Sequence, residues 1–407
     1  MGGNLLKNWN LKEKRLPDKD YQRLKSSLVA KLQNDFHLAI PNSLKVGVSP
    51  CVRDKSDHGD LDIIMADSSA VESFFQRIKY LSSTDWKGID SFSAYLEREF
   101  GYKPYKNSNV YSFPVEGFQV DITLVPFDEY ESTISYTSWG DLGNLMGRIY
   151  HKMGLHYGHN GLSFWIRQGL FDKNVAWSDN DHVYDKMVVS TNTKEIFELG
   201  GFDYDKWLKG FDSESDVADF IISSEYFDPK IYALENLNNI NRVRNKKRGM
   251  YMRFLEKVQN KEFPSKKKFL GKGVHSLLFQ KKFPKLKQAI DHYRFEYQVS
   301  SACKEKLNGD LVKLWLGTSD GPTIGKIMKW VKSQMTNETI LKTPQEDIVK
   351  MVFDYVEREG IEIIKDQPQE EQTFEFFPLV DYINGYNRHR LKLSSGMAGD
   401  FNENKIL

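Results

Sequence analysis

The sequence predicts an α+β fold: a mixed sheet with flanking helices at the N-terminal end, followed by a mostly helical middle and C-terminal part. Three observations predict it. Val46-Gly47-Val48, the run from Asp60 to Met65 and the alternating run Phe118 to Val125 have the length and period of strands. Asp18 to Phe36, Ser69 to Ser82 and Ser91 to Phe100 space their apolar residues as helices do. From Leu142 onward the periodicity becomes helical and the composition turns rich in aromatics.

Taken in order, the first helix places Tyr21, Leu24, Leu28 and Leu32 on one face to pack beside the sheet. The strand at Val46 ends in a small-residue turn, where Gly47 and Ser49 offer backbone N–H groups and a hydroxyl to phosphate oxygens. In the next strand, side chains alternate, so Asp60 and Asp62 leave one face about 7 Å apart while Leu61 and Ile63 leave the other. The two helices that follow cover one face of the sheet, Val110 to Phe113 adds a strand, and Pro126 ends the strand that bears Asp121. Asp121 alternates with Val120 and Ile122, so a neighbouring strand can carry a third carboxylate to the same place. Three acids on two strands make a site for a divalent cation and phosphates, since Mg²⁺ takes oxygen ligands and is held by few carboxylates together with substrate phosphates. In a two-cation arrangement Asp60 and Asp62 bind both ions, while Asp121 binds the one at the attacking hydroxyl and helps deprotonate it.

In the middle of the chain, Gly143 to Met153 and Tyr157 to Ile166 predict a pair of helices; the segment is similar to the helix with a Gly-Leu-Ser type start that follows the carboxylate sheet in template-independent polymerases, and that resemblance implies Arg148, Lys152 and Ser163 as candidates for touching triphosphate or base. His151, His156 and His159 have no cysteine or carboxylate to complete a metal set. Asn192-Thr193-Lys194-Glu195 and Ser213-Glu214-Ser215-Asp216 read as helix starts. Between Arg242 and Lys287, sixteen lysines and arginines oppose only Glu256 and Glu262 in a chain whose net charge is +1, so this segment is the expected polyanion surface. Arg244, Lys246, Lys247 and Arg248 are its RNA-binding candidates, joined further on by Gly321, Gly325 and Lys326, where Pro322 fits a first helical position and free N–H groups can hold a phosphate. Thr343-Pro344-Gln345-Glu346 predicts a capped helix through Val356; a short strand is expected beyond Gly360 and a polar, partly disordered tail from Asn384. The domains predicted are 1–140 (catalytic sheet), 141–240 (helical, nucleotide and substrate), 241–360 (basic and helical, RNA-binding) and 361–407 (strand and tail).

The chain has 407 residues, enough for two or three domains, and a composition of 40% hydrophobic and 28% charged residues excludes a mostly disordered protein. Cys51 and Cys303 lie far apart without metal-ligand spacing, which excludes a disulfide framework and fits a reducing compartment. No run of 18 apolar residues occurs, so no membrane partner and a cytoplasmic location are expected.

The turn at Gly47 and Ser49, about ten residues more, Asp60-Leu61-Asp62-Ile63 and then Asp121 on a later strand resemble the nucleotidyltransferase superfamily that includes DNA polymerase β, poly(A) polymerases and tRNA CCA-adding enzymes. Val52-Arg53-Asp54 resembles the Val-Arg-Asp that follows two adjacent glycines in the eubacterial CCA-adding and poly(A) polymerase group, although this chain has Gly47-Val48-Ser49-Pro50 at that place. Gly309-Asp310-Leu311 and Gly321-Pro322-Thr323-Ile324-Gly325 are similar to the C-terminal helical module of the same group. The resemblance implies transfer of a nucleoside monophosphate from an NTP such as ATP to an RNA 3′ end without a template, with Mg²⁺ or Mn²⁺ as cofactor and tRNA as one acceptor. Two alternatives stay open: a signalling nucleotidyltransferase making cyclic or short oligonucleotides, and a non-catalytic RNA-binding protein on the same fold. No Glu-Asp-x-x-Arg run, by which the bacterial-type enzymes select CTP and ATP, occurs in the chain, so nucleotide choice is open.

Overall fold

A computed structural model describes residues 5–37, 44–78, 89–171, 181–259, 261–264 and 266–366. The chain is a mixed α and β protein that divides into two compact units, 1–297 and 298–407.

The first unit begins with a 3₁₀ turn, Leu6–Trp9, and a two-residue strand β1 (Leu16–Pro17) that leads into α1 (Asp18–Phe36). Next come β2 (Lys45–Val48), β3 (Asp57–His58), which pairs with β1, and β4 (Asp60–Ala66). After α2 (Ser68–Ile78) and α3 (Phe92–Phe100) the chain returns as β5 (Tyr105–Asn107), β6 (Val110–Val115) and β7 (Phe118–Leu124). The five-stranded sheet has the order β2-β4-β7-β6-β5, in which β4 and β7 run parallel and the other neighbours antiparallel. A parallel pair needs a long crossover, and α2 and α3 supply it. The remainder of the stretch expected to continue α2 to Ser82 lies outside the described residues.

One face of this sheet is dry. Leu61, Ile63, Met65, Val120 and Ile122 are at most 1% exposed and pack against Leu24, Leu28 and Leu32 of α1, Val71 and Phe75 of α2, and Phe92, Tyr95 and Leu96 of α3. Each such side chain contributes about 1.5–3 kcal/mol by leaving water. A slip of one residue would move the whole set to the opposite face, so the apolar pattern fixes the register that aligns the carboxylates. On the other face the end of the sheet at Ile64, Ala66 and Val125 is covered by Tyr130 and Ile134 of α4 (Tyr130–Thr137), and Ser112 and Gln119 are buried beside Asp121. The part bearing Asp60 and Asp62 is open to a cleft.

The segment expected to be wholly helical after Leu142 is not. α5 (Leu142–Met153) is followed by a three-stranded antiparallel sheet, β8 (Leu155–Gly158), β9 (Gly161–Arg167) and β10 (Val183–Ser190). Gly161-Leu162-Ser163 therefore opens a strand and not a helix. Gly158 pairs with Gly161 across a two-residue turn, and Gly161 has φ +90° where a Cβ would collide with the Ser190 carbonyl oxygen. Leu162, Phe164 and Ile166 alternate into the core of this lobe, which is the period of a strand.

Helices then build the rest of the unit: α6 (Thr193–Leu199), α7 (Tyr204–Lys209), α8 (Glu214–Ser223), α9 (Asn239–Lys246), α10 (Gly249–Val258) and α11 (Lys272–Lys282). Their starts follow local chemistry. The Asn192 side chain accepts the Glu195 N–H at 3.0 Å, and Ser213 and Asp216 form a reciprocal capping box. Phe197, Phe202, Phe211 and Phe220 pack together as core and are unavailable to stack on a base.

α12 (Pro284–Lys306) runs across the boundary between the units. The second unit continues with α13 (Gly309–Leu316), α14 (Gly321–Gln334), α15 (Asn337–Lys342) and α16 (Gln345–Arg358), whose core includes Val312, Ile327, Val331, Ile348 and Val352. Pro344, not Thr343, occupies the cap position of α16; the Thr343 hydroxyl donates back to the Thr339 carbonyl at the end of α15. Residues 361–366 form no strand, because they run irregularly with Thr318 and Ser319 hydrogen-bonded to Ile364 and Asp366. The tail expected from Asn384 lies outside the described residues. Among the described residues no helix is long and apolar enough to cross a membrane.

Candidate active site

Asp62 on β4 is the Cα partner of Asp121 on β7, and Asp60 is the partner of Gln119, so four polar side chains stand at the corners of one rectangle on the open face. Asp60, Asp62 and Asp121 bring carboxylate oxygens within 4.8 Å of one another. All three offered atoms are hard oxygen donors, at a spacing a divalent cation can bridge. Asp62 lines the cleft, enclosed by its walls but with its side chain exposed to the opening. Burial, then the charges of Asp60 and Asp121, push its carboxyl up to about 8. Burial also raises the Asp121 carboxyl, opposed by hydrogen bonds from Ser112 and Gln119. Three clustered carboxylates, two of them with raised pKa, are a donor set whose charge a cation would relieve, and the residues present fit a Mg²⁺ or Mn²⁺ ion.

The loop between β2 and β3 is pinned across to the helical lobe. Arg53 and Asp54 donate their backbone N–H groups to the carbonyls of Phe211 and Asp212, and Val52 enters the core of that lobe. Pinning carries Lys55 to the cleft wall. Beneath it, His58 is buried, stacks on Tyr21 at 3.6 Å between ring centres, and meets Asp18 through Nε2 at 3.0 Å. An ionised carboxylate only accepts, so Nε2 carries the proton and the ring is fixed beside Asp60.

The opposite wall comes from residues some two hundred positions later. Arg244 and Lys247 from α9 and its end, with Arg248, Gly249, Met250 and Arg253 from the start of α10, line the same cleft as Asp60 and Asp62. The cleft has a volume of about 680 Å³, within the range of small-molecule sites. Some of its cations are committed: Arg15 pairs with Asp57, Arg248 with Asp141 and Arg253 with Glu214. Among the described residues, Lys55, Arg244 and Lys247 have no ion-pair partner. Tyr136, Asn144 and His159 complete the rim.

No family model matches this chain, and no curated protein matches it in sequence. The site therefore has to be read from its own geometry.

Of the residues expected to touch nucleotide, Ser49 lines the cleft, with its hydroxyl bonded to that of Thr137. Gly47 does not: a Cβ there would overlap the Tyr130 hydroxyl, so glycine at this place admits α4 and not a phosphate. Arg148 is 8% exposed inside the helical lobe and donates from Nε to the Ile231 carbonyl at 3.3 Å, because its helix turns that face to the core. Ser163 is buried in β9 and donates to the His156 carbonyl. Lys152 follows Arg148 on α5 and is absent from the cleft lining. Of the expected RNA-binding residues, Arg244, Lys247 and Arg248 join the carboxylates, while Lys246 is exposed on α9 outside the lining. Gly321, Gly325 and Lys326 belong to α14 of the second unit. There Pro322 is the second helical residue and the Asp320 carboxylate takes the Thr323 N–H, so an acidic side chain already occupies the place expected for a phosphate.

Lys55, Asn144 and Gln119 were not evident as site residues from the chain alone. Only Gln119 carried a local signal, two residues before Asp121 on one strand face.

Proposed function

We propose that this protein is a Mg²⁺- or Mn²⁺-dependent nucleotidyltransferase that moves a nucleoside monophosphate from an NTP to the 3′ hydroxyl of an RNA without a template, tRNA being one candidate acceptor. The observation that supports the reading is the convergence of carboxylate oxygens of Asp60, Asp62 and Asp121 within 4.8 Å, with Asp60 and Asp62 lining a cleft that Lys55, Arg244 and Lys247 also line. When bound, divalent ions activate the attacking hydroxyl and stabilise the departing pyrophosphate. The chain's own residues do the rest. Asp60, Asp62 and Asp121 would hold the ions, and Asp121 would be the group to take up the hydroxyl proton. Lys55, Arg244 and Lys247, without an ion-pair partner among the described residues, would bind triphosphate oxygens and offset their charge. Tyr136 and His159 offer ring faces to a base at the rim.

A second reading is favoured by one specific observation. Arg244, Lys247 and Arg248, expected on an RNA surface, line the same cleft as Asp60 and Asp62. Their positive charge is accounted for by the triphosphate, which leaves room for a signalling enzyme that joins nucleotides without RNA. Incubation with each labelled NTP and Mg²⁺, with and without tRNA or an RNA oligonucleotide, separates the two. Extension of RNA is the expected result. Free oligonucleotide or cyclic product without RNA would establish the second reading, and no product under any condition would overturn both.

A further inference from the structure

Resting on the metal-site reading above, we infer that Gln119 and the backbone N–H of Leu5 are positioning groups for Asp121, so that the N-terminal segment helps set the affinity of the site for its cation. Gln119 is 4% exposed and fills the corner of the rectangle opposite Asp60. Its Nε2 donates to both Asp121 oxygens, at 3.1 and 2.9 Å, and its Oε1 accepts the Leu5 N–H at 3.1 Å. These partners determine which way the amide points: a backbone N–H can only donate and an ionised carboxylate can only accept. Without Leu5 the Gln119 oxygen would be a buried acceptor with nothing to accept, and rotation of the amide would turn that oxygen against Asp121.

The segment that supplies Leu5 is fastened along its length. Leu6 is fully buried, the Trp9 Nε1 donates to the Lys103 carbonyl at 3.1 Å, and the Lys14 ammonium donates to the Glu116 carbonyl at 2.8 Å. Farther along, Arg15 pairs with Asp57 at 2.7 Å and reaches the cleft wall itself. Residues 5–15 thus run from behind the third carboxylate to the rim of the site. Groups that orient a metal ligand, without touching the metal, typically govern affinity or activity by 10–100-fold.

The test is Mn²⁺ binding to the full chain, followed by electron paramagnetic resonance, with nucleotide kinetics alongside. Gln119→Leu, which removes the two Gln119 hydrogen bonds to Asp121 and keeps the one from Ser112, is expected to weaken Mn²⁺ binding by about 10–100-fold and to lower kcat while leaving the KM for NTP unchanged. Leu5→Pro deletes the N–H together with the leucine side chain, at a φ of −83° close to proline's own, and is expected to weaken Mn²⁺ binding less, in the same direction, whereas Leu5→Ala, which keeps the N–H, should bind Mn²⁺ as the parent does. Leu6→Ala, which loosens one fastening of the segment but keeps the Leu5 N–H, should lower the melting temperature and weaken Mn²⁺ binding no more than Leu5→Pro does. Parental affinity in both Gln119→Leu and Leu5→Pro, with affinity lost in Asp62→Asn, overturns the relay and keeps the metal site. Parental affinity in Asp62→Asn overturns both. Should Gln119→Leu fail to fold, the Leu5→Pro measurement alone decides.

Discussion

Asp62 and Asp121 face each other as Cα partners across the parallel pair β4 and β7, sixty residues apart in sequence but on adjacent strands. Because the strands are parallel, Asp60 and Gln119 stand in the same relation one step along. That register brings together, from residues that are otherwise ordinary strand aspartates, three carboxylates that could hold a cation.

Replacing Asp62 by asparagine keeps the size of the side chain and removes the charge. Nucleotidyl transfer should fall by at least about 10²–10³-fold, the scale of losing one group aimed at developing charge. Far-ultraviolet circular dichroism should be unchanged. Retained turnover in this variant would place the chemistry elsewhere.

The same carboxyl gives a pH dependence with a definite sign. Its folded-state pKa, about 8, lies above the ordinary carboxylate value, so the neutral form is favoured by the fold. Its contribution to stability is present below pH 4 or so and is lost as pH rises toward about 8. In chelator, the melting temperature contributed by this site should therefore decline from pH 5 to pH 8, and Asp62→Asn should flatten that decline. Mg²⁺ should raise the melting temperature more at pH 8 than at pH 6, since at pH 6 the ion must displace a proton. Thermal melts across pH with chelator or Mg²⁺ check both statements.

Arg244→Ala and Lys247→Ala remove cations with no acidic partner, so each is expected to raise the NTP KM by about tenfold, the equivalent of roughly 1.4 kcal/mol of charge-assisted hydrogen bonding. Stability should hardly change. Arg248→Ala should behave differently, because it leaves Asp141, only 6% exposed, without its partner: a loss of about 1–3 kcal/mol in urea unfolding is expected. Equal stability losses in all three variants would contradict the division between free and paired cations.

Gly47→Ala inserts a methyl group where the Tyr130 hydroxyl sits, and should cost about 1–2 kcal/mol by overpacking. Tyr130→Phe in the same chain should recover much of it. If Gly47→Ala instead left stability intact and raised the NTP KM, the glycine would be serving a phosphate after all.

Local patterns decided a good deal of this protein before any tertiary contact was known. α1 spans Asp18–Phe36 as its apolar spacing requires, Ser91 caps α3, Ser213 caps α8, and the alternation around Asp60 and Asp62 placed those two carboxylates on one strand face. Each of these depends on residues within a few positions, where the periods of 2.0 and 3.6 are legible. The hairpin at Gly158-His159-Asn160-Gly161 carried a local sign too, an Asn-Gly step before the alternating Leu162, Phe164 and Ile166, but the amphipathic helix ahead of it invited the wrong period. What no local pattern could hold was the fate of the cations. Arg148 and Arg244 are alike as residues on helices, yet one is turned into a core and the other lines the cleft that holds Asp60 and Asp62. That choice belongs to the docking of the helical lobe against the sheet, where burial of apolar faces outweighs any preference of a single charged side chain.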